Sequence, residues 1–425
     1  MWLLSWVSFF ADVSSEMIYP LLPLFLVGVL GASKVQLGLV EGAAVLIVAV
    51  MTGFAGFRSD RSGKRVRWIQ IGYGLPMLGK AMIALATAWG FVLGGRLLDR
   101  FGKGLRSAPR DAMIAGAVGA DQRGRAFGVH RALDTAGALL GVLLSALLLW
   151  WLTGTPSHPP SSGAAEAVAT ATQTGATPAW IYRVIFGVGA ALGLASFLLT
   201  FLVRDEDAPE AEATTGEPLA KESPAGAAAG PLALPRSYWA VLAVLVLFSL
   251  ANSSDTFILL RASDLGYSPW AVVMVYALYN VTYAALSYAA GSLSDRLGGA
   301  RGRWLVIAAG WVIYAGVYAG FALLPKAHAW GFWPLMALYG VYMALTDGVG
   351  KALIADHAPR ERRGAAMGIF YAVTGLTTLV ASLVAGLLWD RSGPAAAFLV
   401  GSGFAVFALA ALGLVAMAER RTQYP

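Results

Sequence analysis

The chain is 425 residues long, 58% hydrophobic and only 13% charged, with a formal net charge of +7 and no cysteine. Soluble domains carry about 25% charged residues, so an ordinary globular fold is excluded for the chain as a whole, and disulfides and thiolate metal sites are excluded outright. The surplus positive charge does not point to nucleic acid, because basic loops on one side of a membrane give the same balance.

The apolar residues come in blocks of the length, about 20 residues or more, that crosses about 30 Å of hydrocarbon as a helix. In chain order, spans are expected near 3–28, 36–56, 66–87, 90–118, 125–152 and 179–203, then near 237–260, 268–291, 303–324, 333–356, 365–389 and 394–417. No cleavable signal segment is expected, since the opening "MWLLSWVSFF" runs into a block too long and too polar-studded for one. The stretch 153–178 has no Lys or Arg and reads as an outer loop. The segment 204–236, acidic and then rich in Ala, Pro and Gly, reads as a flexible linker between units 1–203 and 237–425. Most Lys and Arg residues outside the spans fall on the linker side, which places both termini and the linker in the cytoplasm.

The spans are not uniformly apolar. In the first, Asp12, Ser15, Glu16 and Tyr19 share a face, since Asp12 and Glu16 are four residues apart. Carboxylates at membrane depth are costly unless paired, so Asp12 and Glu16 are candidate proton carriers. The fourth span holds "GRLLDRFGKGLRSAPRDAM". At about 100° per residue its charged side chains, Arg96, Asp99, Arg100, Lys103, Arg106, Arg110 and Asp111, occupy an arc of about 140°. From Arg96 to Arg110 the stripe runs roughly 21 Å, so this helix turns a charged face to protein or water. The fifth span adds His130, Arg131 and Asp134. The seventh has Asp255 near Asn252 and Ser254, the eighth has Tyr276, Tyr279 and Tyr283 on one face, and the tenth has Asp347 and Lys351 at ion-pair spacing.

The two halves echo each other. "GFRSDRSGKRVRW" after the second span returns as "GSLSDRLGGARGRW" after the eighth, "ADVSSE" as "ANSSD", and "ADQRGRAFG" as "PRERRGAAMG". Three echoes in one order imply a duplicated six-helix unit. This architecture, with Gly56, Asp60, Arg61, Gly63, Lys64 and Arg65 filling a G-x-x-x-D-R-x-G-basic-basic pattern, resembles the major facilitator superfamily. Gly291, Asp295, Arg296 and Gly298 fill the second copy, although Gly299 and Ala300 replace its basic pair.

The resemblance implies an all-α integral membrane protein of twelve helices in two pseudo-symmetric six-helix bundles, working by alternating access. It implies that spans one, four, seven and ten line a central cavity. It also implies that Gly56, Asp60, Arg61, Gly63, Lys64, Gly291, Asp295 and Arg296 form a cytoplasmic latch, with Arg106 and Arg110 as further gating candidates near that mouth. Arg96 matches the arginine of the family's R-x-x-Q-G-x-G-like signature, linked to proton coupling in related antiporters, but Asp99 and Arg100 stand where that signature has Gln and Gly. Proton coupling is thus assigned to Asp12, Glu16, Arg96 and Asp134. Solute contact is assigned to Arg100, Lys103, His130, Arg131, Tyr276, Tyr279 and Asp347.

The stripe itself has three readings that can coexist: an internally neutralised structural or gating network, an anion site, or a proton relay. The spans hold almost as many acidic as basic residues, so five cations do not by themselves demand an anionic solute. The leading expectation is a proton-coupled efflux antiporter for a small organic, anionic or zwitterionic solute. A proton-coupled importer, an exporter of a metal or metal–carboxylate chelate, and a non-transporting sensor are the alternatives. The fifth span, "DTAGALLGVLL", lacks the proline of the antiporter signature, which keeps import open. No Walker A pattern is present and no nucleophile–base constellation is seen, so neither an ATP motor nor an enzyme is expected. No cofactor, resident metal or nucleic acid is expected, and a monomer in a bacterial inner (plasma) membrane is.

Overall fold

The structure, a computed structural model, describes residues 2–62, 65–116, 123–153, 177–203, 234–297, 299–359 and 362–423. These form twelve long helical segments: α1 (Trp2–Val29), α2 (Lys34–Ser62), α3 (Arg65–Ala84), α4 (Trp89–Gly116), α5 (Arg123–Thr153), α6 (Ala179–Leu202), α7 (Arg236–Asp264), α8 (Pro269–Arg296), α9 (Gly299–Leu323), α10 (Phe332–Asp356), α11 (Arg363–Ser392) and α12 (Pro394–Gln423). Among the described residues, nine are long and apolar enough to cross a membrane on composition alone. The other three are α3, α4 and α10, in which charged or polar residues dilute the apolar run.

Two helices are irregular, and both carry an echoed polar motif. In α1, Pro20 and Pro23 each lack the N–H that the helix ladder needs, and the segment passes through a 3-10 turn (Tyr19–Leu21) and a π stretch (Phe25–Val29). In α7 the helix stops at Ala251 and restarts at Thr256, across "NSSD". Short polar side chains compete with the helix for its backbone groups here. Ser254 Oγ contacts Thr256 Oγ1 at 2.9 Å, while the Ser254 N–H donates to Ser382 Oγ of α11 at 3.1 Å. The Ala251 carbonyl accepts from Tyr314 Oη of α9 at 2.7 Å. Broken helices at membrane depth survive where neighbours satisfy the freed backbone groups.

Most of α1–α6 pack chiefly within that set and most of α7–α12 within theirs, but α11 packs most extensively against α2. The halves meet along α2 and α11 and along α5 and α8. The first seam is tight because glycines let backbones touch. A Cβ on Gly38 would strike the Ser382 carbonyl, one on Gly386 the Lys34 carbonyl, and one on Gly42 would lie 2.7 Å from Leu379 Cα. Asp390, at the end of α11, accepts from the backbone N–H groups of Lys34 and Val35 at 3.2 and 3.1 Å. It thereby places its carboxylate at the positive end of α2. All these contacts lie in the first half of α2, at the Lys34 end of the molecule.

The opposite end differs. No described atom lies within 4 Å of a Cβ built on Gly291, so the close helix approach expected there is not made in this conformation. The Asp295 side chain is 70% exposed and bonds Arg303 of its own half at 3.4 Å, while Arg303 also pairs with Asp356. Arg296 is exposed as well. Gly63 and Lys64 lie outside the described residues, as do the side chains of Gly56, Asp60 and Arg61.

Candidate functional site

The charged stripe of α4 faces inward, and its partners come from three other helices. Arg96 (3% exposed) makes a bidentate pair with Glu41 of α2, Nε to Oε1 at 2.8 Å and Nη2 to Oε2 at 2.9 Å. Asp99 stands one turn on, 3.6 Å from Arg96 Nη1, 3.5 Å from Arg100 Nε and 3.9 Å from Lys80 Nζ of α3. Lys80 also donates to Ser14 Oγ of α1 at 2.8 Å, and Ser14 donates to the Gly189 carbonyl of α6 at 2.5 Å. Three cations share two carboxylates, so one positive charge is left over. It falls toward Arg100, whose side chain is the most accessible of the group at 15%.

The Arg96 guanidinium lies 5.3 Å from the centroid of the Tyr19 ring, and that of Arg106 lies 4.0 Å from the Tyr73 centroid, both cation–π contacts. Tyr73 and Ser8 share a 2.7 Å hydrogen bond, and Arg110 donates to Ser8 Oγ at 3.1 Å and pairs with Asp111 at 2.9 Å. The gating candidates Arg106 and Arg110 are thus held against α1 and α3.

The expected proton carriers are arranged differently from one another. Glu16 accepts a 2.9 Å hydrogen bond from Tyr276 Oη of α8, a residue of the other half, and the Tyr19 and Tyr276 rings stand 5.5 Å apart. Lys103, Arg100 and Asp12 lie within electrostatic reach of Glu16, with no ion pair closed to it within 4 Å among the described residues. Asp134 instead pairs with His130 within α5, at 3.5 Å. His130, a candidate for solute contact, is 4% exposed in this conformation and lies 3.3 Å from Ser5 of α1. Arg131 is exposed and reaches Tyr283 of α8. The Tyr283 hydroxyl donates to Asp347 at 2.9 Å, and Asp347 pairs with Lys351 at 2.7 Å.

The second half presents tyrosines where the first presents charges. Ring centroids run from Tyr276 to Tyr279 (5.7 Å), Tyr279 to Tyr339 (5.4 Å) and Tyr339 to Tyr342 (5.2 Å). Tyr339 donates to Asp255 Oδ1 at 2.7 Å. A cavity of about 330 Å³ opens between α7, α9, α10 and α11, lined among others by Phe248, Asn252, Trp311, Tyr342, Asp347 and Lys351. That volume lies within the range of small-molecule sites.

Glu41, Lys80, Tyr339 and Asp255 hold central places in this arrangement, yet none was assigned a role from the sequence. The signal for two of them was present. Glu41 and Lys80 each stand as a lone charge in a long apolar run, and such a charge must find a partner inside the bundle.

A two-half bundle with broken helices and an interior charge network defines a polytopic transporter fold. The Major Facilitator Superfamily model matches residues 4–348 and 257–424. The chain belongs to the Major Facilitator Superfamily: it is a multi-pass membrane protein and a secondary transporter. It is 32% identical over 411 residues to an uncharacterised MFS-type transporter of Methanocaldococcus jannaschii, covering 95% of this chain and 92% of that one. It is 25% identical over 401 residues to a multi-drug resistance efflux pump PmrA homolog of Lactococcus lactis, covering 92% and 89%. Among solved structures, the nucleoside transporter NupG superposes with a TM-score of 0.72 at 14% identity, covering 97% and 98%. A bacterial homolog of the human lysosomal transporter Spinster superposes at 0.70 and 17%, covering 98% and 96%. At those identities the structural likeness speaks to fold alone.

Proposed function

We propose that the chain is a proton-coupled exporter of a small organic solute carrying an acidic group, anionic or zwitterionic, in a bacterial inner membrane with both termini cytoplasmic. The observation that carries this reading is the Glu16–Tyr276 hydrogen bond across the two halves. An ionised Glu16 accepts from Tyr276 and attracts Lys103 and Arg100; a protonated one releases those cations and alters the bond between the halves. Proton occupancy and the relation of the halves are thereby linked at one carboxylate, as alternating access requires. Arg100 and Lys103 are the cations left for an acidic solute, because Arg96 is consumed by Glu41 and Asp99. The efflux-pump relative in Lactococcus lactis supports export over import. On this orientation the Lys34 end is the outer end, closed here, and the Asp295 end is cytoplasmic.

The test is flux in proteoliposomes with an imposed pH gradient, screening small organic acids, amino-acid-like zwitterions and metal–carboxylate chelates. Solute moving against the proton flow, and lost in Glu16→Gln, is the expected result. Solute moving with the proton makes it an importer, and flux indifferent to the gradient sinks the coupling.

A further inference from the structure

Among the described acidic side chains at membrane depth, one has no cation to answer it. Glu41, Asp99 and Asp347 each lie within 4 Å of Arg or Lys, and Asp134 of His130. Glu16 lies within electrostatic reach of Lys103 and Arg100, and Asp12 acts on Lys103. Asp255 has the Tyr339 hydroxyl, and the charged groups that act on it most are two more carboxylates, Glu41 and Glu16. It is held inside a set of aromatic rings: Tyr339 touches it, and Tyr279, Tyr342, Tyr314 and Tyr318 each have ring centroids between 5.2 and 6.3 Å from that of Tyr339.

A second observation comes from the same break in α7. The Asn252 amide oxygen is buried and has no hydrogen-bond partner among the described residues. A buried acceptor left unpaired costs about 1–3 kcal/mol, which a donor brought by a ligand recovers. Asn252 lines the cavity of about 330 Å³ in the second half, and so does Tyr342, whose ring packs 5.2 Å from Tyr339. Asn252 thus adjoins the cavity, and Asp255 follows it by three residues across the same break, outside the cavity's lining but joined to it through the Tyr339 hydrogen bond and the Tyr339–Tyr342 ring contact.

We propose that this region is a recognition site for a protonated amine, with Asp255 supplying the opposite charge, Asn252 an acceptor for an N–H, and the surrounding tyrosine rings a cation–π lining. An ammonium group has three donors and a compact charge, which such acceptors and π faces suit. Lys351, the cation that lines the cavity, is paired with Asp347, which leaves Asp255 as the carboxylate of this region with no cation partner among the described residues, and a neutral apolar group leaves Asn252 unpaired. The site rests on the transporter reading and deepens it: the solute class becomes an aromatic or otherwise bulky amine, and a zwitterion when Arg100 and Lys103 of the first half take its acidic group.

The experiment is equilibrium binding to the purified full chain in nanodiscs, read by tryptophan fluorescence, with two probes of like shape and opposite charge, phenethylammonium and phenylacetate. Phenethylammonium is expected to bind wild type and to weaken at least about tenfold in Asp255→Asn, a change that keeps shape and the capacity to accept from Tyr339. Phenylacetate binding is expected to stay unchanged in that variant and to fall in Arg100→Gln. Should Asp255→Asn lose both probes, Asn252→Leu decides: loss of the ammonium alone supports the site, and an unchanged ammonium affinity overturns it. Ammonium binding that is absent from wild type, or equal in wild type and Asp255→Asn, also overturns the site. Phenylacetate failing while phenethylammonium binds counts instead against the acid-binding part of the transport reading and leaves Asp255 standing.

Discussion

The two halves derive from one repeated pattern yet solve the interior of the membrane in opposite ways. The first half buries charges and pairs them, with α4 drawing Glu41 from α2, Lys80 from α3 and Ser14 from α1 by way of Lys80. The second half stacks hydroxyl-bearing rings from α8, α9 and α10 around a broken helix. Even the echoed motifs diverge: "ADVSSE" leads to a carboxylate bonded across the molecule by Tyr276, and "ANSSD" to one bonded within its own half by Tyr339. A paired ion network needs every partner present, because removing one strands the other in a low-dielectric interior. A tyrosine cluster loses one contact at a time. The contrast predicts that breaking an ion pair of the first half costs more stability than removing one hydroxyl from the tyrosine cluster of the second.

The largest effect that sharpens this contrast is expected at Glu41. Replacing it with Gln leaves Arg96 without its bidentate partner and should destabilise the chain by about 3–5 kcal/mol, read as a lowered unfolding temperature in detergent. Joint replacement of Glu41 and Arg96 by Gln and Met should restore much of that loss; a double variant no better than the single one would break the idea that the pair acts as a unit. The corresponding change in the second half, Tyr342→Phe, is expected to cost no more than about 1 kcal/mol.

Next in size is Glu16→Gln, expected to cut pH-driven flux by at least about tenfold while leaving the unfolding temperature near that of wild type, since no ion pair within 4 Å is lost. Retained flux in this variant would move the coupling role elsewhere.

The seam between the halves gives a third test. Gly386→Val puts a side chain into the Lys34 carbonyl and should force the Lys34 end open. The chain has no cysteine, so a single Lys34→Cys reports directly through alkylation. Its labelling rate should rise several-fold when combined with Gly386→Val, a shift of about 1 kcal/mol or more in the closed–open balance. Smallest is Asp390→Asn in the same Lys34→Cys background, which keeps a hydrogen-bond acceptor at the start of α2 but removes the charge facing the helix dipole. About 0.3–1 kcal/mol of closure is expected to go, and a labelling change as large as that of the glycine variant would contradict the ranking.

Much of the fold was legible because bilayer thickness imposes a length on every span, and because the "SDRSGK" and "SDRLGG" segments mark the repeat. The stripe on α4 was legible too, since helical periodicity places its charges on one arc whatever surrounds them. Their partners were not. Asp99 and Asp111, on the stripe itself, pair with its cations, but Arg96 goes to Glu41, a residue 55 positions earlier in the chain. Nothing local in "LGLVEGAAVL" says which cation its glutamate will meet. His130 was legible as a polar side chain within a span, but its burial against Ser5 of α1 was not.

The sequence by itself determined that this is a twelve-helix, duplicated membrane protein, because hydrophobic length, loop charge and internal repeat are all properties of short stretches read in order, and the motif around Asp60 and Arg61 carried its resemblance to the facilitator family. Only the tertiary structure decided which buried charges cancel and which remain. Pairing at membrane depth depends on distances of about 3 to 4 Å between helices far apart in the chain, and that is set by helix packing. It paired Arg96 with Glu41 and Asp99, and left Lys103 in the first half and Asp255 in the second with no ion pair within 4 Å among the described residues.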